Sequence, residues 1–276
     1  MRSWLYVPGN RPDRFAKAVA SGADAIILDL EDAVPRAEKD SAREAVAGWL
    51  GGSDGSCLVT VRVNRGSQAD LDAIVRPGLG GVQLPKVESA DEVRAIDERL
   101  CALEKAAGLA AGSVWLFPLI ESAAAVLRAL EIGGAGRRVG SLALGAVDLL
   151  ADLGGRGEEA VEYARRHLVY AARAAGLPGP TDGVWTAIAD LGGLRSAAER
   201  ARTLGYAGKL VVHPTHVAVV NQVFTPTPEE IAWAHRILGT DVGTVDGEFV
   251  DLAVRRRAEA ILAPGRLGDR MRVLGQ

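Results

Sequence analysis

The chain has 276 residues, 48% of them hydrophobic and 5% aromatic, with 33 glycines and a formal net charge of −3. That length suits a single α/β barrel plus a short extension, and abundant Ala, Gly, Val and Leu suit parallel strands buried under small-residue helices. The Lys and Arg residues are scattered and do not exceed the acids, which excludes the electrostatic footprint of nucleic-acid binding and favours small-molecule chemistry. In chain order, Met1–Gly9 reaches a Pro-Gly turn after too few apolar residues for a signal sequence or a membrane span. Two isolated cysteines, Cys57 and Cys101, are expected to be inert thiols in a reducing, cytoplasmic compartment. Short apolar runs then alternate with helical patterns, the mark of parallel βα units. Strands are expected at Trp4–Val7, Ala25–Leu30, Leu58–Val63, Gly81–Leu84, Val114–Leu119, Ser141–Leu144 and Lys209–His213. One more is needed near Pro180–Val184, where Pro and Gly interrupt the signal. Helices are expected over Arg11–Ser21, Glu38–Leu50, Asp91–Gly108, Gly157–Gly176 and Gly193–Gly205, several ending at Gly, and glycines 51, 52 and 55 mark a loop. After the last strand come Thr215–Phe224, a Pro-punctuated turn, Glu229–Leu238 and a helix around Leu252–Leu262. The expected architecture is an α/β fold, a (β/α)₈ TIM barrel over residues 1–224 followed by a C-terminal helical extension over 225–276.

In such a barrel the reacting groups sit at the C-terminal ends of the strands. Strand two runs into Asp29, Glu31 and Asp32, strand three into Arg62, strand four into Lys86, strand five into Glu121, strand six into Asp148 and strand eight into His213. Ionisable groups at so many strand ends predict a site on one rim. Glu121 and Asp148, from adjacent strands, suit Mg²⁺, which takes one or two carboxylates and keeps waters and substrate oxygens; the alternative is that each caps the helix that follows it. The four histidines lack zinc spacing, and Pro214 opens a helix after His213. Arg62 can hold a carboxylate or an enolate bidentately, or pair structurally with Glu31 or Asp32, and the two roles are compatible. A lysine among so many carboxylates should stay protonated, so Lys86 is expected to give electrostatic support rather than form a Schiff base. No Gly-rich phosphate loop and no Gly-x-Ser-x-Gly elbow is present.

These residues fall into a family pattern. Arg2-Ser3 with Leu5-Tyr6-Val7-Pro8-Gly9 and Arg11-Pro12, Ala25–Val34, Val61-Arg62-Val63-Asn64, Leu84–Glu88, Pro118–Ser122, Leu144-Gly145 with Asp148-Leu149, and Gly205–Lys209 through His213-Pro214 follow one another in order. The chain thereby resembles the citrate lyase β-subunit/malyl-CoA lyase group of the HpcH/HpaI aldolase superfamily over nearly its whole length. The resemblance implies Mg²⁺ on Glu121 and Asp148, with Arg62, Glu121 and Lys86 at the small-acid fragment. It implies that Asp29, Glu31 and Asp32 support the metal waters and Arg62, and that Arg2, Arg11 and Lys17 grip the phosphates of CoA. The alternative for those three cations is ordinary surface charge. A homotrimer or dimer of trimers is also implied.

The implied reaction is reversible aldol- or Claisen-type cleavage of a 3-hydroxy acyl-CoA, such as malyl- or citramalyl-CoA, to an acyl-CoA and a 2-oxo acid. The pattern departs from the group at Val147, where Glu is usual, at His216, where Gln is commoner, and at Glu248, where Lys is usual. The long C-terminal lid that brings a catalytic acid from a neighbouring subunit in malyl-CoA lyases is not expected after Leu262, which leaves the general acid/base unassigned. The competing expectations are a citrate lyase β-subunit acting on a citryl-thioester, a CoA-independent 2-oxo-acid aldolase, and a non-catalytic metal- or ligand-binding homologue.

Overall fold

The computed structural model describes residues 1–52, 57–240, 243–245 and 247–262. The expected (β/α)₈ barrel is the fold found. Parallel strands close in chain order: β1 (Ser3–Pro8), β2 (Ala25–Asp29), β3 (Leu58–Arg62), β4 (Gly81–Leu84), β5 (Trp115–Ile120), β6 (Ala143–Leu144), β7 (Thr181–Asp182) and β8 (Gly208–Val211), with β1 pairing both β2 and β8. Around them lie α1 (Phe15–Val19), α2 (Lys39–Leu50), α3 (Gln68–Ile74), α4 (Ala90–Ala106), α5 (Ala123–Leu127), α6 (Ala129–Gly133), α7 (Ala146–Asp152), α8 (Glu162–Ala174), α9 (Leu191–Leu204) and α10 (Pro214–Phe224). Beyond the barrel come α11 (Pro228–Leu238), an antiparallel hairpin of β9 (Gly243–Val245) and β10 (Glu248–Val250), and α12 (Leu252–Leu262). Among the described residues, no helix is long and apolar enough to cross a membrane.

Several boundaries differ from the sequence expectation. β8 stops at Val211, and His213 caps the N-terminus of α10. The segment before α1 is a 3₁₀ turn at Pro12–Arg14, and another at Glu158–Val161 precedes α8. Helix α3, capped by Ser67, and the β9–β10 hairpin were not expected. Gly55 and the chain after Leu262 lie outside the described residues.

Strand alternation divides the apolar side chains into two layers. Trp4, Ala25, Ile27, Trp115, Phe117, Leu119, Ala143 and Leu210 fill the barrel, while the alternate residues Leu5, Val7, Ile26, Leu28, Val59, Val61 and Val82 pack outward in the main core. Trp4 and Phe117 meet edge-on, with ring centroids 4.9 Å apart. The interior is full enough that a Cβ on Gly81 would stand 2.5 Å from the Phe117 ring.

The same alternation explains why β7 was hard to read. Its Asp182 is buried, and it accepts from Lys209 Nζ on β8 and from Arg165 Nε on α8 at 3.1 Å. Arg165 also binds Glu158 and Glu162, and its carbonyl accepts the Tyr206 hydroxyl at 2.9 Å. Burial opposes the Asp182 carboxylate, but the charges of Lys209 and Arg165 outweigh it and hold its pKa below the ordinary range. Removing one member of a buried ionic cluster strands the others. Asp182→Ala is therefore expected to cost about 3–5 kcal/mol in urea unfolding, and Asp182→Leu combined with Lys209→Met to recover most of it.

Candidate active site

Asp29 and Arg62 are register partners at the last residues of β2 and β3. Arg62 donates from Nε to Asp29 Oδ1 at 2.7 Å and from Nη2 to Oδ2 at 2.5 Å, a bidentate pair, and its Nη1 lies 3.2 Å from Glu31 Oε2. The guanidinium stacks 4.8 Å over the Tyr6 ring, whose hydroxyl donates to Gln83 Oε1 at 2.5 Å. Ion pair, stack and burial fix its plane. Asp29 also shapes the chain that follows, accepting from the backbone N–H groups of Glu31 (2.9 Å) and Ala33 (3.2 Å).

Lys86 Nζ donates to Glu31 Oε1 at 2.5 Å and lies 3.4 Å from both Asp32 oxygens. The Glu31 hydrogen bond raises the Lys86 pKa, which favours the charged ammonium. Burial pushes Glu31 upward, against the pull of Lys86 and Arg62. Among the described residues, Lys86 alone of the non-glycine residues has positive φ, at 54°. That left-handed backbone directs its N–H to Glu121 Oε1 at 2.6 Å, so a locally unfavourable conformation is held where the charged groups meet.

Glu121 is buried, and Gly145 lies beside it, one residue past the Ile120–Leu144 register pair. A Cβ at position 145 would fall 2.4 Å from Glu121 Cβ and 2.6 Å from Oε2, so glycine makes the cradle for this carboxylate. Burial first, then the charge of Asp148, push the Glu121 pKa up to about 8. The capping alternative fails for both residues. Ser122 caps α5, and Asp148 lies inside the first turn of α7, whose N-cap is Gly145. Among the described residues, no group of three or more His, Cys, Asp or Glu is placed to hold a metal ion. A buried carboxylate repelled by a half-buried one, with only oxygen donors, fits a hard dication completed by water or ligand oxygens better than zinc.

The structure thus brings together Asp29, Glu31, Asp32, Arg62, Lys86 and Glu121, with Asp148 close enough to repel Glu121. Arg11 and Lys17 follow β1 on the same mouth, Arg11 paired with Asp13 and Lys17 exposed on α1. Arg2 does not join them. It precedes β1 at the opposite mouth, where Nε and Nη2 bind Asp24 at 3.0 and 2.7 Å and Nη1 donates to Thr225 at 2.9 Å. His216 is buried with Nε2 on the Ile188 carbonyl at 3.0 Å, and Val147 is 51% exposed beside Asp148. The side chain of Glu248 lies outside the described residues. From sequence alone Tyr6, Gln83 and Gly145 have no site role, although Tyr6 and Gly145 lie in the motifs and the β1 alternation that turns Trp4 inward also points to Tyr6.

Fold and site together describe a (β/α)₈ barrel with a carboxylate-rich C-terminal mouth. The chain belongs to the HpcH/HpaI aldolase/citrate lyase family, whose pattern matches residues 2–214, and is an enzyme of that carbon–carbon lyase class. It is 35% identical to citrate lyase subunit beta of Leuconostoc mesenteroides subsp. cremoris, over 95% of this chain and 92% of that protein. It is 34% identical to (3S)-malyl-CoA thioesterase of Cereibacter sphaeroides, over 91% and 89%. The crystal structure of CitE from Mycobacterium tuberculosis in complex with magnesium, acetoacetate and coenzyme A matches with a TM-score of 0.73 at 32% identity, covering 95% of this chain and 96% of that one.

The raised Glu121 pKa carries a sign. Folding makes this carboxyl bind a proton more tightly than its ordinary value near 4.5, so the cation-free fold loses stability as pH rises from there to about 8. A dication at Glu121 must expel that proton. Mg²⁺ affinity measured by titration calorimetry is expected to rise by up to about ten-fold per pH unit between roughly pH 6 and 7.5, then level off above about 8. Gly145→Ala, which places a methyl against Glu121, is expected to abolish the binding.

Proposed function

We propose that this chain is a Mg²⁺-dependent lyase that reversibly cleaves a 3-hydroxy acyl-CoA thioester, such as malyl-CoA or citramalyl-CoA, into an acyl-CoA and a 2-oxo acid. The observation that carries it is the Glu121 carboxyl, buried in the Gly145 cradle beside Asp148 with its pKa driven up, next to a guanidinium held ready for an anion. Glu121 and Asp148 would hold Mg²⁺. When bound, Mg²⁺ would supply Lewis-acid stabilisation of the charge that develops on the hydroxy-acid oxygens.

The chain's own residues supply the rest. Asp29 takes two of the five Arg62 N–H groups and Glu31 faces Nη1 at 3.2 Å, so the remaining Nη1 and Nη2 N–H groups are those left to bind the substrate carboxylate or the thioester enolate left by cleavage. Lys86, kept cationic by Glu31 and Asp32, adds positive potential where that enolate forms. Arg11 and Lys17, on the same mouth, are the cations that grip CoA phosphates. Their pairing and exposure also fit surface charge, so CoA binding by their Ala variants separates the two roles. Support for CoA as a ligand comes from the Mycobacterium tuberculosis neighbour crystallised with it. Assembly as a homotrimer or dimer of trimers in the cytoplasm completes the proposal, and exposed Leu127, Leu130, Tyr163 and Tyr170 on α5, α6 and α8 offer apolar surface for it.

Relatedness to (3S)-malyl-CoA thioesterase favours a second outcome, hydrolysis of the thioester, and relatedness to citrate lyase subunit beta favours a citryl-thioester substrate. One assay separates them. Purified protein with Mg²⁺ is offered malyl-, methylmalyl-, citramalyl- and citryl-CoA while 2-oxo acid, acyl-CoA and free CoA are followed. A 2-oxo acid appearing with acyl-CoA, abolished by chelation and lowered more than about 100-fold by Glu121→Ala, is the expected result. Free CoA without a 2-oxo acid means hydrolysis, and no turnover despite Mg²⁺ and CoA binding means a carrier-bound substrate or a non-catalytic homologue.

A further inference from the structure

Behind the charged mouth lies a set of polar side chains that touches none of the proposed ligands. After its last strand residue, Asp29, the β2 chain turns through Leu30 and Glu31, and both carbonyls are clasped. Lys39 Nζ, from the first residue of α2, donates to Leu30 O at 2.7 Å and Glu31 O at 2.5 Å. Asn64 Nδ2, two residues past the end of β3, donates to Leu30 O at 2.9 Å. Asn64 is itself held. Asp70 on α3 is fully buried, and its Oδ2 accepts from Asn64 Nδ2 at 2.7 Å and Asn64 N at 2.8 Å, while its Oδ1 accepts from Arg43 Nε at 2.8 Å.

A buried carboxylate is costly unless its lone pairs are filled, and here three donors fill them. The network therefore runs from Arg43 and Asp70 through Asn64 to the backbone of residues 30 and 31, with Lys39 clasping that backbone from α2. From there the Glu31 carboxylate fixes Lys86 and flanks Arg62, and the Lys86 N–H fixes Glu121. Arg62 and Glu121 are thus both positioned from a loop whose own carbonyls hang on two side chains.

We infer that Lys39 and Asn64, the latter anchored by Asp70, are positioning residues that act on catalysis through Glu31. This rests on the lyase reading for its kinetic consequence, though the clasp itself does not. Its donors set where the Glu31 carboxylate stands and so the distance between the Arg62 and Glu121 ends of the site. A displacement below an ångström is enough to lower turnover while leaving ligand affinity in place.

Lys39→Met, Lys39→Arg and Asn64→Leu test it. Met keeps the aliphatic stem without the donors, and Arg restores donors to the same carbonyls. Lys39→Met and Asn64→Leu are expected to lower kcat about 10- to 100-fold with the thioester KM within about two-fold, and Lys39→Arg to recover most of the loss. In a Glu31→Gln background Lys39→Met is expected to cost little further, because both changes break one chain of contacts. An unchanged kcat in both folded variants overturns the inference, as does a Lys39→Met loss that persists undiminished beside Glu31→Gln. If the wild-type protein turns over no thioester, the lyase reading has failed separately, and hydrogen exchange judges the clasp. The Glu31, Ala33 and Val34 amides are expected to exchange at least about ten-fold faster in Lys39→Met, and unchanged exchange overturns it.

Discussion

Asp29 and Arg62 stand opposite one another because parallel pairing puts β2 and β3 in a register that ends on both. Each would be costly alone at the mouth of a barrel packed with Trp4, Phe117 and Leu119. Together they satisfy one another, and Asp29 has capacity left to accept two backbone N–H groups of the chain that turns away from β2. That turn presents Glu31, Glu31 fixes Lys86, and the Lys86 backbone reaches Glu121. A single cross-strand ion pair thus seeds the whole arrangement.

The charge at the mouth is unbalanced. Asp29, Glu31, Asp32, Glu121 and Asp148 face only Arg62 and Lys86 within the cluster, and the imbalance falls on the β5–β6 side, where burial first and then Asp148 drive the Glu121 proton affinity upward. The cations are consumed near β2–β4. Under the proposed function, a dication on the β5–β6 side would relieve the repulsion there, and a substrate carboxylate would then meet both the ion and the guanidinium. On the outside of the barrel the opposite solution holds, for buried Asp182 takes both Lys209 and Arg165, and Glu158 and Glu162 complete the pairing of Arg165.

Much of this was legible in the residues. Residues 25–28 are a continuous apolar run that breaks at Asp29 into carboxylates, the pattern of a strand buried on both faces and ending at a polar rim. β7 was faint because a two-residue strand carrying an outward, ion-paired Asp182 looks polar, and its partners lie 17 and 27 residues away. Helix α3 was missed for a related reason, since the buried Asp70 reads as a surface acid until Asn64 and Arg43 are seen around it. The resemblance groups Arg2 with Arg11 and Lys17, but the six residues of β1 separate the two mouths by roughly 20 Å. Gly145 needed the structure, because a close approach between neighbouring strands cannot be read from either one.

Lys86 spends its side chain and its main chain on different partners, the ammonium on the acidic turn after β2 and the amide on the carboxylate after β5. A residue with a relaxed backbone would let those two groups drift independently. Because one strained residue joins them, the opposite sides of the mouth behave as a single stiff body, and a ligand that pulls on Glu121 also pulls on Glu31. Under the proposed function, any accommodation of different acyl chains would then fall to the loops outside this frame.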